Sequence, residues 1–171
     1  FGKYLRLLGQ DAFVLPAAWI GPRVRSLPHL FSDADLAAFF AAADRTTPCA
    51  ASPFREYTIP VLFRLMLGCG LRPQEARLLR RCDVDTRSAV LAIVRSKRNK
   101  DRRVPVDEAL ARLLTRFDDL AELHRPGRTF FFEDHFAQPY TAHWVTASYH
   151  RCCAKAGGIA PSSTPYTLRH N

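Results

Sequence analysis

The stretch that most constrains this chain is residues 67–83, LGCGLRPQEARLLRRCD. Val61, Leu62, Leu65 and Met66 stand at helical spacing just before it, Gly68 and Gly70 follow, and Pro73 comes next. Glycine past a helix end and proline at a first helical position are stop and start signals. Two helices therefore meet at a tight joint, with Arg72 in the corner and Glu75 one turn on. A lone arginine in such a corner reads as a solvated surface group. This one has company: RSKRNKDRR at 95–103 holds six basic residues in nine, and TPYTLRHN at 164–171 carries Arg169 on another turn. Two arginines and a lysine on separate elements suit a phosphate, whose oxygens pair with guanidinium forks in bidentate fashion.

The rest of the chain reads as mainly α with a small antiparallel β-hairpin, an α+β fold. Helical spacing covers 1–10, where Phe1, Tyr4, Leu5 and Leu8 share a face. Ser32 and Asp35 form a capping-box-like start for a helix over 33–43, with Leu36, Phe39 and Phe40 on its apolar face. A helix over 55–69 places Pro60 in its first turn, where a missing N–H does no harm. The helix opened by Pro73 runs to about Arg81. AVLAIV at 89–94 and residues 102–106 are strands separated by the basic turn. Residues 107–124 form a long amphipathic helix with Leu110, Leu113, Leu114, Phe117 and Leu120 on one face. Another helix spans 141–156 and is stopped by Gly157 and Gly158, and Thr164 and Pro165 start a last one.

Three boxes in this order resemble those of a known family. GLRPQEARLL resembles the GLR-x-x-E-x-x-x-L box of the tyrosine recombinases, the phage integrase family. SKRNKDRRVPV is similar to that family's lysine-bearing β-hairpin, and TPYTLRHN to its H-x-L-R-H box. The likeness extends over roughly residues 32–171. It implies the tyrosine recombinase catalytic-domain fold and site-specific DNA recombination through a 3′-phosphotyrosyl intermediate, with neither a cofactor nor a metal. By the same resemblance Arg72 and Arg169 grip the scissile phosphate. Lys97 protonates the departing 5′-oxygen, with Lys100 the competing lysine in a short basic turn. Arg95, Arg98, Lys100, Arg102 and Arg103 contact DNA phosphates, and Glu75, Asp83 and His170 support the site. Tyr166 departs from the pattern, standing where the family carries histidine. A phenol donates a hydrogen bond to a phosphate oxygen but is a poor proton shuttle near neutrality, its pKa lying at about 10. The family's nucleophilic tyrosine falls farther on, and no tyrosine follows Arg169. Tyr4, Tyr57, Tyr140 and Tyr149 match no nucleophile context. The expectation is a recombinase catalytic domain lacking its nucleophile, the alternative a non-catalytic DNA-binding module or decayed integrase on the same fold.

The resemblance also implies an organisation. Residues 1–10 are the last helix of a preceding DNA-binding domain, 11–31 a basic linker with Pro16, Pro22 and Pro28, and 32–171 the catalytic domain. Four protomers on two duplexes are the implied assembly.

Composition agrees with a polyanion as partner. Lys and Arg number 25 against 16 Asp and Glu, a net charge of +9, which suits double-stranded DNA and equally a basic adaptor for RNA or acidic protein. No apolar run reaches the ~20 residues that span a bilayer, and the interrupted start does not read as a signal peptide. Five cysteines without a C-x-x-C pair argue against a disulfide framework and for a reducing cytoplasm. His150, Cys152 and Cys153 lack the common facing that zinc ligands need, because helical neighbours point about 100° apart.

Overall fold

The computed structural model describes residues 1–16, 19, 29–94, 101–159 and 163–170. Helices α1 (Gly2–Leu7), α2 (Asp33–Asp44), α3 (Arg55–Gly68) and α4 (Pro73–Arg77) come first. Strands β1 (Val84–Asp85), β2 (Val90–Ile93) and β3 (Arg102–Pro105) follow, then helices α5 (Glu108–His124) and α6 (Ala142–Lys155). Single 3₁₀ turns cover Arg81–Asp83 and Pro165–Arg169. The mainly helical architecture with a small antiparallel sheet is thus present, and the sheet has three strands in the order β1-β2-β3. The two-residue β1 gave no sequence signal. Of the linker expected over 11–31, residues 17, 18 and 20–28 lie outside the described residues. Helix α1 buries none of its side chains.

The core is built around α3, which buries Ile59, Val61, Leu62, Phe63, Leu65 and Met66. A helix apolar on nearly every side must be enclosed, and α2, α4, α5 and the Pro165–Arg169 turn surround it. Gly68 lets α5 come close, since a Cβ there would stand 2.9 Å from Leu110 Cδ2. Phe39 of α2 meets Phe63 and Tyr149, and Tyr149 shares its hydroxyl with Ser163 at 2.6 Å. The Ser32–Asp35 capping box starts α2 as expected, and Asp107 and Thr141 cap α5 and α6.

Four expectations need correction. The helix opened by Pro73 ends at Arg77, not near Arg81. Beyond it the backbone turns away to pair with a distant segment: Phe131 N–H donates to Leu79 at 2.8 Å, Arg81 N–H to Thr129 at 3.0 Å, and Arg80 bridges Phe130. Pro60 sits in the second turn of α3, not the first: the helix starts at Arg55 as expected, behind Phe54 in a left-handed conformation, which makes the proline its sixth residue. Leu120 is 44% exposed, and Ala121 takes the core position on α5 in its place. The last helix is a 3₁₀ turn, with no side-chain cap from Thr164.

All five cysteines are free, and burial pushes the thiols of Cys69 and Cys152 up to about 11. Among the described residues no cluster suits a metal ion, and no helix is long and apolar enough to cross a membrane.

Candidate functional site

The joint between α3 and α4 has the geometry its glycine and proline predict. Gly70 adopts a left-handed φ of 56°. Leu71 N–H reaches back to Met66 O at 3.1 Å and Gly70 N–H to Leu67 O at 3.4 Å, closing a Schellman motif. Leu71 is fully buried, so the chain is anchored just before Arg72, which occupies the N-cap of α4 with extended backbone. Arg72 has no acceptor to offer the helix. Glu75 supplies the reciprocal contact instead, its Oε2 accepting the Arg72 backbone N–H at 2.9 Å.

That carboxylate is the centre of the site. Its Oε1 accepts from Arg72 Nη1 at 2.7 Å and from Arg102 Nη1 at 3.0 Å, while Oε2 also accepts from Arg102 Nη2 at 2.8 Å. Arg169 Nη1 stands 3.8 Å from the same Oε2. It is buried and has no hydrogen-bond partner among the described residues. Three guanidinium groups, distant in sequence, therefore face one carboxylate, a local excess of two positive charges.

Burial pushes the Glu75 carboxyl up. The hydrogen bonds from Arg102 and from the backbone and side chain of Arg72 outweigh this and hold it at about 2. Arg72 is pushed above the ordinary arginine range, first by Glu75 and then by a hydrogen bond with Tyr166. Arg102 is raised by Glu75 in the same way. A carboxyl depressed in the folded state stabilises the fold above its unfolded value, and that contribution disappears as pH falls through the folded one. Glu75 should therefore weaken the protein between about pH 4.5 and pH 2. Urea unfolding of Glu75→Gln above and within that window should show a smaller acid-side loss than the native chain.

Tyr166 is 38% exposed on the Pro165–Arg169 turn, which the buried Pro165, Thr167 and Leu168 fix to the core. Its ring lies 5.9 Å from the Arg169 guanidinium carbon and 5.2 Å from the His170 ring. Beside the cluster is a cavity of about 660 Å³ with Arg72, Glu75, Leu79, Asp83, Val94 and Phe130 in its walls. Asp83 stands there on the Arg81–Asp83 turn and accepts a weak bond from the Cys82 thiol. Arg103 points to the exposed side of β3. Arg95, Lys97, Arg98 and Lys100 lie outside the described residues, although Val94 and Arg102 on either side of that stretch both belong to the site. Tyr149 is fully buried and Tyr140 nearly so, whereas Tyr4 and Tyr57 are exposed.

The structure thus brings together Arg72, Glu75, Arg102, Tyr166 and Arg169. The place of Arg102 among them was not anticipated, although strand alternation carries the signal. Arg102 and Val104 share one face of β3, and Val104 packs on the core.

Comparison with known proteins follows the same lines. The family model described as the phage integrase family matches residues 32–171. The tyrosine recombinase XerD of Xanthomonas axonopodis pv. citri is 31% identical over 167 residues, covering 91% of this chain and 52% of that protein. A crystal structure of XerA recombinase superposes with a TM-score of 0.70 at 20% identity, covering 98% of this chain and 55% of its own. The Tn1549 transposon integrase in complex with transposon right end DNA gives 0.71 at 15% identity, covering 98% of this chain and 60% of that one. The chain spans about a third to a half of the length of the relatives it matches in sequence.

Proposed function

Because this chain belongs to the phage integrase family, we propose that it is the catalytic domain of a site-specific DNA recombinase and that the Glu75 cluster is its scissile-phosphate site. Arg72 and Arg169 take the non-bridging oxygens, where negative charge accumulates in the pentacovalent transition state, so fixed positive donors act where they help most. Tyr166 donates a hydrogen bond to the same phosphate. A tyrosine oxygen attacks phosphorus, the 3′-phosphotyrosyl bond forms, and the bond to the 5′-oxygen breaks. Lys97 gives its proton to that leaving oxygen. The freed 5′-hydroxyl of a partner strand then reverses the attack. Bond energy is kept in the covalent link, so the exchange needs no ATP. We assign the nucleophile to a tyrosine encoded after Asn171, residues 1–10 to a preceding DNA-binding domain, and the working assembly to four protomers on two duplexes.

One observation carries this reading: three arginines converge on a single carboxylate, and the Nη1 of Arg169 is buried beside it without a hydrogen bond among the described residues. A buried donor without an acceptor is costly, and a phosphate oxygen supplies the acceptor. The net charge of +9 favours a polyanion as partner.

The test is to place the domain in its full-length protein and trap the covalent adduct on a nicked suicide duplex of its cognate site. An adduct that survives denaturation and disappears with Arg72→Ala is expected. Site-specific binding by a folded full-length protein that never yields an adduct would favour instead a non-catalytic DNA-binding module, the reading that Tyr166 in the place of histidine supports.

A further inference from the structure

Arg102 and Arg103 differ in what they touch. Arg102 is the first residue of β3, paired with Ile93, and both of its terminal nitrogens are committed to Glu75 at 3.0 and 2.8 Å. An ionised carboxylate offers about four lone-pair sites. Glu75 receives four short hydrogen bonds, two from Arg72 and two from Arg102. Arg169 is the fifth donor and is left at 3.8 Å. We infer that Arg102 is a positioning residue of the phosphate site: by filling Glu75 it keeps the Arg169 Nη1 free for a phosphate oxygen.

This rests on the phosphate-site reading above and adds a competition to it. Without Arg102, two acceptor sites on Glu75 open toward a buried guanidinium nitrogen that has no hydrogen bond among the described residues. Arg169 closes the gap and pairs with the carboxylate, and a phosphate must then break that pair before it binds. Because Arg102 is delivered by the β2–β3 pairing, the phosphate clamp is complete only when the hairpin is in register. Arg87, exposed on the turn between β1 and β2, carries the same charge without this contact and is the natural control.

The experiment is a titration of this chain with inorganic phosphate, read on the ¹⁵N–¹H signals of the arginine side chains. Arg102→Ala is expected to weaken phosphate binding by at least about tenfold, and Arg87→Ala by less than about twofold. Glu75→Gln completes a double-mutant cycle. In the native background it removes the anchor of Arg72 and weakens binding; with Arg102→Ala it removes the trap for Arg169 and strengthens binding. Should Arg102→Ala fail to fold, Arg102→Gln, which keeps much of the stem, carries the same cycle. An effect of Glu75→Gln that is equal in both backgrounds, or equal losses for Arg102→Ala and Arg87→Ala, overturns the positioning role and leaves the phosphate site standing. Unchanged binding in both Arg72→Ala and Arg169→Ala overturns the phosphate site itself, and the competition with it.

Discussion

Arg169→Ala is expected to slow strand cleavage by the full-length protein about 10²–10³-fold, the range found when one preorganised donor to a developing oxyanion is removed. The fold should hardly notice. Among the described residues the guanidinium of Arg169 makes a 3.8 Å approach to Glu75 and a 5.9 Å approach to the Tyr166 ring. The turn that carries it is held by Pro165, Thr167 and Leu168, which are buried whatever the side chain at 169. Melting should therefore shift by less than about 3 °C, as for a loss well under 1 kcal/mol in a domain of this size. Arg169→Lys keeps the charge but not the planar fork and should recover little of the rate. The measurement is the rate of covalent adduct formation at saturating DNA, where weaker binding no longer contributes. Cleavage within about tenfold of the native rate would place the scissile phosphate somewhere other than beside Arg169.

Local chemistry made some of this visible in the sequence and hid the rest. The α3–α4 joint was legible because Gly70 and Pro73 act on their own backbone, so Arg72 and Glu75 fell where spacing put them. The Ser32–Asp35 box was legible for the same reason. The end of α4 was not. Leu78, Leu79, Arg80 and Arg81 are good helix formers, yet residues 79–81 pair with 129–131, and no local signal announces a partner fifty residues away. Leu120 was misplaced because Leu120 and Ala121 both fit an apolar stripe, and the packing of α5 selects the smaller residue. The convergence on Glu75 was half legible: the contact with Arg72 follows from a three-residue spacing, whereas Arg102 arrives from 27 residues away on a strand full of similar charges.

A second network was invisible in the sequence and predicts the largest stability effect. Arg128 is buried, its side chain 3% exposed, with Nη2 on Asp118 Oδ1 at 2.5 Å and Nη1 on Phe131 O at 2.6 Å. Asp118 also accepts from Arg81 Nε at 2.9 Å and Nη2 at 3.0 Å, and Arg81 reaches Glu122 at 2.8 Å. Asp118→Ala strips Arg128 of its one close carboxylate, since Glu122 lies 3.9 Å from Arg128 Nε. Leaving a buried charge without its partner costs about 3–5 kcal/mol. Arg81→Ala, at the wetter end of the network, should cost about 1 kcal/mol or less. Urea unfolding checks both. The Asp118→Ala loss should also persist at high salt, because buried pairs are screened far less than exposed ones, and a loss below about 1 kcal/mol would mean that Arg128 finds water or another acceptor. The same variant tests how the site is held, for Arg128 fixes the segment through Phe131 and Arg81 closes the Arg80–Phe130 bridge. Phe130, Leu79 and Arg80 form part of the wall of the cavity. Asp118→Ala should therefore loosen that wall and weaken phosphate binding at Glu75, although Asp118 belongs to α5 and, among the described residues, its hydrogen bonds join it to Arg81 and Arg128.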